Sequence, residues 1–146
     1  MSLNRIFDIA GSGMEAQSLR LNTTASNIAN VDSAASSVDE VYRARKPVFE
    51  AIQHSVMMGQ ELHSLDGQPA SQGVQVQGIV ESDRPLEMRY EPDHPLADER
   101  GYVMYPNVNV VEEMADMLSA SRSFQTNVDV MDAAKNMMQR VLTLGQ

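Results

Sequence analysis

The stretch RLNTTASNIANVDS, residues 20–33, holds the main clue to the architecture of this chain, because its apolar residues have helical spacing whereas its polar residues disfavour a helix. Leu21, Ile28 and Val31 continue an apolar helical spacing that begins near the N-terminus. The Asn, Thr and Ser residues between them lower helix propensity. A helix of this composition is not built to be stable alone, so we expect other helices to pack against it.

The pattern predicts a first helix from about Leu3 to Val31, since residues on one side recur in alternating steps of four and three. Such a repeat is typical of a coiled-coil seam rather than of a broad globular stripe. Gln17 and Thr24 are polar seam positions, which cost stability but fix register, and Asn30 is suited to end the helix. The seam positions are Leu3, Phe7, Ala10, Met14, Gln17, Leu21, Thr24, Ile28 and Val31.

A second helix with the same spacing is predicted from about Asn109 to Leu144. Asn109 is a suitable N-cap, and Glu112 lies at the third helical position, where its side chain completes a capping box. Met137 lies beside the seam and widens the apolar face beyond what one partner helix covers. The seam positions are Val110, Met114, Met117, Ser121, Phe124, Val128, Met131, Lys135, Met138 and Leu142.

The segment between the helices, residues 34–106, changes character, with most of the prolines and glycines. GVQVQGIV, PLEMRYEP and GYVMYP alternate apolar and polar residues between turn-forming residues, which predicts strands. Residues 48–65 are interpreted as a strand leading into a loop. The predicted fold is therefore α+β: a coiled-coil domain of residues 1–33 and 107–146, and a small β-rich insertion, 34–106.

The first helix is expected to be unstable in isolation. Relative to Ala, Gly11 and Gly13 cost about 1 kcal/mol each, and the nine Ser, Thr and Asn residues roughly 0.5 kcal/mol each, about 6–7 kcal/mol together. Domain stabilities are themselves only about 5–15 kcal/mol. Two interpretations stay open: a poorly optimised two-helix hairpin, or a helix pair that further helices complete in an assembly.

Composition excludes several classes of function. The net charge is −9 and no Lys/Arg cluster is large enough to offset it, which argues against a protein that binds nucleic-acid phosphates. The absence of cysteine excludes disulfides and thiolate chemistry. No apolar run approaches the ~20 residues of a membrane span, and we expect no Sec signal peptide, because the N-terminus lacks a continuous apolar region.

No motif predicts catalysis, a metal site or a cofactor. His54, His63 and His94 lack a second ligand at metal-binding spacing, and His94 is expected only to shape the turn PDHP. The GSG at residues 11–13 lacks the Gly-Lys-Ser/Thr of a phosphate loop. A hydrolase is the third hypothesis for function, since no nucleophile elbow is present.

Three stretches carry a family resemblance. NRIFDIAGSGMEAQSLRLNTTASNIANVDS, residues 4–33, resembles the N-terminal signature of bacterial flagellar axial proteins, the rod, hook and filament-side components. YRARKPVF, residues 42–49, and the segment from YEPDHPLADERGYVMYPNVN to LTLGQ, residues 90–146, are similar to the proximal rod members of that family. The resemblance covers nearly the whole chain and is weakest in residues 33–41 and 53–73.

The resemblance implies a structural subunit of the flagellar basal-body rod, without catalytic activity or cofactor. It also implies export, unfolded and without signal cleavage, through the flagellar type III apparatus into a tube that crosses the periplasm. The implied partners are further copies of the chain, rod proteins of the FlgB and FlgF types, and FliE with the inner-membrane ring and export gate. No nucleic acid or small-molecule substrate is implied.

The predicted assembly interface comprises seam positions of both helices together with Asn22, Asn27, Asn30 and Asn127 as cross-helix hydrogen-bonding residues. An alternative hypothesis is a soluble coiled-coil adaptor or export chaperone, which would be folded in isolation. The complete predicted interface is Leu3, Phe7, Ala10, Met14, Gln17, Leu21, Asn22, Thr24, Asn27, Ile28, Asn30, Val110, Met114, Met117, Ser121, Phe124, Asn127, Val128, Met131, Met138 and Leu142.

Overall fold

Among the residues that the structure describes, two long helices flank four strands in chain order. The computed structural model describes residues 3–53 and 71–144, and side chains from Arg5 to Ile52 and from Gly73 to Thr143. The α+β prediction, with long helices at the two ends and antiparallel strands between them, is confirmed. The elements are α1 (Leu3–Ala29), β1 (Arg45–Gln53), β2 (Ser71–Glu81), β3 (Glu87–Tyr90), β4 (Tyr102–Tyr105) and α2 (Val110–Leu144).

Helix α1 ends where the sequence indicates. Its last residue is Ala29, and the side-chain amide of Asn30 donates to the carbonyl oxygen of Ser26 at 2.8 Å. This bond satisfies one of the carbonyls that the end of a helix leaves without a partner. The following residues turn away from the helix, with Ser33 N–H donating to the Asn30 carbonyl at 3.1 Å.

Helix α2 begins with the predicted cap but not with the predicted capping box. The Asn109 Oδ1 accepts hydrogen bonds from the backbone N–H of Val111 at 3.0 Å and of Glu112 at 3.3 Å. The reciprocal bond is replaced, because the two carboxylate oxygens of Glu112 accept from Lys46 and Arg84 instead. Charged partners form stronger hydrogen bonds than a backbone N–H does, so they determine where this side chain lies.

The strands form two separate two-stranded antiparallel sheets. β1 pairs with β2 from Arg45↔Glu81 to Gln53↔Ser71, and the alternating sequence GVQVQGIV lies within β2 as predicted. β1 begins at Arg45, earlier than the strand expected from residue 48, and the loop expected to follow it lies outside the described residues. β3 pairs with β4 from Glu87↔Tyr105 to Tyr90↔Tyr102.

The two helices contact each other in antiparallel orientation, as three pairs of residues show. Asn27 hydrogen-bonds to Glu113, Arg20 pairs with Asp116, and Gly13 lies against the Asn127 side chain. Extending these contacts in steps of three and four gives two contact lines whose members are all buried or half-buried. They are Ile6, Ala10, Gly13, Gln17, Arg20, Thr24 and Asn27 on α1, and Glu113, Met117, Ala120, Phe124, Asn127, Met131, Ala134 and Met138 on α2.

Every second residue of each contact line is also a predicted seam position. The residues between them each precede a predicted seam position by one. The structure uses Gly13 and Asn27 where the pattern favoured Met14 and Ile28, and Ala120 where it favoured Ser121. The helices approach where side chains are smallest or able to pair, whereas the prediction chose mostly the bulkier apolar neighbours. Those apolar residues therefore lie beside the contact between the helices.

The core is built from small side chains. Ala10, Ala16, Ala120 and Ala134 are buried in the helical part. In the insertion the fully buried side chains include Val103 and Pro106. Burial of apolar surface stabilises a fold by about 25 cal/mol per Å², and alanine side chains bury little such surface. Polar contacts therefore have a large share in specifying this structure. The other buried apolar residues are Val41, Ala44, Tyr105 and Val108.

Candidate assembly interface

Two of the features singled out for chemistry, His94 and the GSG segment, have structural roles. Within residues 3–53 and 71–144 there is no group of three His, Cys, Asp or Glu side chains that could hold a metal ion, and no helix is long and apolar enough to cross a membrane. His94 Nδ1 accepts from the backbone N–H of Leu96 at 3.1 Å, which confirms its role in the turn. His54 and His63 lie outside the described residues.

The GSG segment attaches the β1–β2 hairpin to α1. Ser12 Oγ donates to the carbonyl of Ile9 at 2.9 Å and accepts from the backbone N–H of Val74 at 3.1 Å. Gly73 lies against Ser12 with φ +130°, a conformation that side chains rarely adopt. A Cβ at Gly13 would lie 2.8 Å from Asn127 Nδ2, so this glycine lets α2 approach.

Asn27 is the centre of a polar junction that joins four segments of the chain. Its side chain is fully buried. Nδ2 donates to the Arg45 carbonyl at 2.8 Å and to Glu113 Oε2 at 3.0 Å. Oδ1 accepts from Arg45 N–H at 2.9 Å and from the Tyr42 hydroxyl at 2.8 Å. These bonds use the full capacity of an amide side chain, two donors and two acceptor sites.

The Asn27 junction explains why polar residues persist in a buried part of α1. Glu113 is only 3% exposed, and the Asn27 amide is its hydrogen-bond partner across the two helices. If one partner of a buried hydrogen bond is removed, the other stays out of water without a hydrogen bond, and the fold is destabilised by the full desolvation free energy of that group. The same amide fixes the start of β1, so one residue sets both the helix register and the position of the insertion.

A chain of alternating charges lies beside the junction, which we call the ion chain. Arg20 pairs with Asp116 at 2.7 Å, and Asp116 lies 3.8 Å from Lys46. Lys46 pairs with Glu112 at 2.8 Å, and Glu112 pairs with Arg84 at 2.9 Å. The five residues come from α1, α2, β1 and the β2–β3 connection, so the ion chain ties the hairpin to the helix pair.

Glu112 lies between two basic groups of the ion chain, Lys46 and Arg84. The hydrogen bonds from Lys46 and then Arg84 lower its pKa from 4.5 to about 2. The hydrogen bond to Glu112 raises the pKa of Lys46 above 10.5, although partial burial opposes this change. All three groups are therefore charged at neutral pH. Their side chains are 37–62% exposed, so solvent screens the attraction.

Asn107 forms a second polar junction, at the end of β4. Its Oδ1 accepts from Ala44 N–H at 2.8 Å, and its Nδ2 donates to the carbonyls of Ser82 at 3.1 Å and Arg84 at 2.8 Å. It thereby connects both sheets to the segment that leads into α2. The PNVN sequence at residues 106–109 places this junction and the helix cap two residues apart.

The predicted interface residues divide by burial. Ala10, Thr24 and Asn27 are buried within the chain. Asn22, Val110, Met114, Ser121 and Leu142 are exposed. The Leu3 side chain is outside the described ones. The remaining members are half-buried: Phe7, Met14, Gln17, Leu21, Ile28, Asn30, Met117, Phe124, Asn127, Val128, Met131 and Met138. Of the four asparagines, Asn27 forms a cross-helix hydrogen bond, whereas Asn30 bonds within its own helix.

The structure shows an exposed apolar stripe on α2 that shares only Met114 with the predicted seam. Val111 is 76% exposed, Met114 56% and Leu118 64%. The spacing of three and four residues puts them on one side of the helix. The sequence contains a sign of this stripe, because Val111 and Leu118 each follow a predicted seam position by one residue and so form a second apolar repeat. Contact with a single helix covers only one of two such repeats.

Comparisons with known proteins agree at both ends of the chain. Residues 7–34 match the family model described as "Flagella basal body rod protein", and residues 99–144 match "Flagellar basal body rod FlgEFG protein C-terminal". These segments contain most of α1 and α2, the two helices that the Asn27 junction joins. Together they define the class: the chain is a structural subunit of the flagellar basal-body rod.

Full-length relatives identify the branch. The flagellar basal-body rod proteins FlgC of Salmonella typhimurium and of Escherichia coli O157:H7 are each 47% identical over 146 residues, with 100% of both chains covered. FlgC of Borreliella burgdorferi is 34% identical over 151 residues, covering 100% of this chain and 99% of that one. The chain belongs to the FlgC family. Its relatives are named as structural proteins, and the adaptor hypothesis is not favoured.

Proposed function

We propose that this chain assembles into the rod through one side of its helix pair, the open face, formed by Leu21 and Ile28 of α1 with Val111, Met114 and Leu118 of α2. The single observation that carries the proposal is the exposure of the three α2 side chains, 76%, 56% and 64%. A soluble protein rarely leaves a contiguous apolar stripe uncovered unless a partner covers it.

The five residues lie on the same side of the helix pair. Leu21 and Ile28 each follow by one residue a member of the contact line, and so does Met114. One step along a helix turns the side chain by about 100°. Because the helices run in opposite directions, a forward step from the contact line leads to the same side on both.

The opposite side of the helix pair is occupied by the chain itself. Asp116 and Glu112, which each precede a contact-line residue, pair with Lys46 of β1. Ser12 holds β2 against α1. The hairpin and the ion chain therefore leave the open face as the apolar side available to a neighbouring helix.

The remaining features of the proposal concern how the subunit reaches and joins the rod. We place it in the part of the basal body that crosses the periplasm, exported unfolded without signal cleavage, with its helices in coiled-coil contact. The neighbours would be its own copies, FlgB- and FlgF-type rod proteins, and FliE with the inner-membrane ring. The small, polar contact line supports this, because such a helix pair gains stability from further helices.

The test is a pair of aspartate substitutions in neighbouring residues. Leu118→Asp puts a charge on the open face, whereas Ser119→Asp adds the same charge to an exposed position about 100° away around the helix. Both variants should be expressed and folded, since both sites are exposed. In a flagellated host that lacks its own copy, we expect the Leu118 variant to abolish swimming and the Ser119 variant to retain it.

Basal bodies isolated from the same cells give the direct readout. We expect the Leu118 variant to be absent from them and the Ser119 variant to be present. Normal swimming and normal incorporation of the Leu118 variant would refute the open face as the interface. Equal loss for both variants would show that added charge, rather than the face, is responsible.

A further inference from the structure

The β3–β4 hairpin has an unusual distribution of side chains. Its inner face places Val103 and Tyr105 in the core, where they are 0% and 8% exposed. Its outer face should then be polar, as in most two-stranded sheets with one solvated side. Instead it carries Met88, Tyr90 and Tyr102, which are 63%, 65% and 42% exposed.

The outer face is ordered before any partner is present. The rings of Tyr90 and Tyr102, paired across the two strands, meet edge to face with centroids 5.3 Å apart. Beneath them, the Arg89 guanidinium stacks on the Tyr105 ring at 4.4 Å. Aromatic side chains held in this way lose little conformational freedom on binding, which favours them as contact residues.

One edge of the hairpin also has backbone groups available for pairing. In the part of the chain that the structure describes, β3 has β4 as its sole strand neighbour. Glu91 N–H donates to the Gly101 carbonyl at 2.9 Å. Because hydrogen-bonded and non-bonded pairs alternate in antiparallel strands, the backbone N–H and C=O groups of Met88 and Tyr90 point away from β4.

The rim of this face, by which we mean the loop that joins β3 to β4 at one end of the hairpin, is acidic. The loop between the strands contains Glu91, Asp93, Asp98 and Glu99 against the single base Arg100. The backbone N–H of Tyr102, followed by that of Arg100, lowers the pKa of Asp98, so this carboxylate keeps its charge at neutral pH. An acidic rim at one end of an apolar face favours basic partners and repels acidic ones.

We infer that β3 docks an extended segment of a different protein, with apolar side chains at alternate positions and Lys or Arg at its ends. Pairing along β3 supplies the backbone hydrogen bonds, the face of Met88, Tyr90 and Tyr102 takes the apolar side chains, and the loop attracts the flanking bases. A second copy of this chain is a poor occupant, because its net charge is −9. This surface is independent of the open face.

The experiment uses the full chain and a defined probe. The probe is a fluorescent peptide with an alternating Val-Thr-Tyr-Thr-Val centre and two lysines at each end, and its anisotropy reports binding. Met88→Ser with Tyr90→Ser removes the apolar face, and Asp93→Asn with Glu99→Gln removes rim charge. The control, Asp129→Asn with Asp132→Asn, removes equal charge from exposed positions on α2.

We expect the first double variant to weaken binding about ten-fold or more, and the rim variant about three- to ten-fold at low salt. The α2 control should stay within about two-fold, and a peptide with Glu in place of Lys should bind at least about ten-fold more weakly. Circular dichroism verifies that each variant remains folded.

Three results would overturn the inference. The first is no measurable binding of the probe to the unsubstituted chain. The second is an equal loss of binding in the α2 control, which would indicate attraction by net charge alone. The third is self-association of the chain that the Met88/Tyr90 variant abolishes, which would assign the face to a second copy. None of these results bears on incorporation through the open face.

Discussion

At the scale of single residues, buried polar side chains specify contacts in this fold that apolar packing specifies in larger cores. Asn27 hydrogen-bonds to Tyr42, to Glu113 and to both backbone groups of Arg45, and the side chains of Asn27 and Glu113 are buried. A Leu or Ala at this position would improve helix propensity. It would also leave the buried Glu113 carboxylate and three part-buried groups without this partner, and that cost is the larger one.

Asn27→Ala should therefore lower the free energy of unfolding by about 3–5 kcal/mol, because it strands a buried carboxylate, a hydroxyl and two backbone groups. Urea unfolding followed by circular dichroism measures the change. Asn22→Ala is the matched control, an exposed asparagine on the same helix, and should change stability by less than about 0.7 kcal/mol. A similar small effect at both positions would contradict the role assigned to the junction.

Two glycines of β2 offer a sharper comparison. Gly73 has φ +130° and touches Ser12, whereas Gly78 has open space around the position of a Cβ. Gly73→Ala should lower stability by about 1–3 kcal/mol through backbone strain and displacement of Ser12. Gly78→Ala should be neutral or slightly stabilising. Thermal unfolding distinguishes them, and equal melting temperatures would show that the hairpin moves without cost.

At the scale of elements, hydrophobic periodicity was enough to locate both helices and to suggest most of the strands. It could not place the helix contact, because the repeats of apolar and of small or polar residues lie one position apart. Choosing between them requires knowing that Arg20 has Asp116 opposite and that Asn27 has Glu113, which are contacts between residues far apart in sequence. The predicted capping box was wrong for the same reason, because Glu112 binds Lys46 and Arg84, which lie far from it in sequence.

The ion chain predicts a specific dependence on pH. The pKa of Glu112 is lower in the folded chain, about 2, than its ordinary 4.5. Its stabilising contribution is therefore complete above about pH 4.5 and is lost as the pH falls to about 2. Lys46 has a raised pKa, so its contribution is present below pH 10.5 and declines in more alkaline solution.

Glu112→Gln should accordingly be less stable than the unsubstituted chain at pH 6, and the difference should disappear as the pH approaches 2. Urea unfolding at a series of pH values measures it. High salt should shrink the difference at pH 6, since these side chains are partly exposed. A difference that persists unchanged at pH 2 would mean that packing, rather than charge, accounts for the role of Glu112.

At the scale of the whole molecule, residues from the two ends of the chain form one unit, and the insertion covers one of its sides. The sequence predicted this arrangement, because the helices are terminal and share a repeat. It could not show which side the hairpin covers, since that depends on Ser12 meeting Val74 and on the ion chain. The open face is consequently a property of the folded chain and not of either helix alone.

A cross-link tests whether the same helix pair exists in the assembled rod. The chain has no cysteine, and a Cβ at Gly13 would lie 3.2 Å from Asn127 Cγ. Gly13→Cys with Asn127→Cys should form a disulfide within one chain, because the Asn127 Cγ, which corresponds to the Sγ of a cysteine, already lies this close to the position of the other Cβ. Asn22→Cys with Asn127→Cys, two positions far apart along the helices, should not.

Electrophoresis of oxidised basal bodies without reductant provides the readout. We expect a monomer of altered mobility for the Gly13/Asn127 pair. A dimer band would show instead that α1 of one subunit packs on α2 of another in the rod, so that assembly exchanges the partners found in the isolated chain.

The attachment of the hairpin to α1 at two distant points has a mechanical consequence. Ser12 holds β2 near one end of the helix, and Asn27 holds the start of β1 near the other. The two attachment points are 15 residues apart, which corresponds to about 22 Å of helix. A helix rich in Gly, Ser and Asn bends easily, but one fastened along a strand pair at both ends resists bending. The stiffness of such a rod would then reside in its short β-hairpins as much as in its helices.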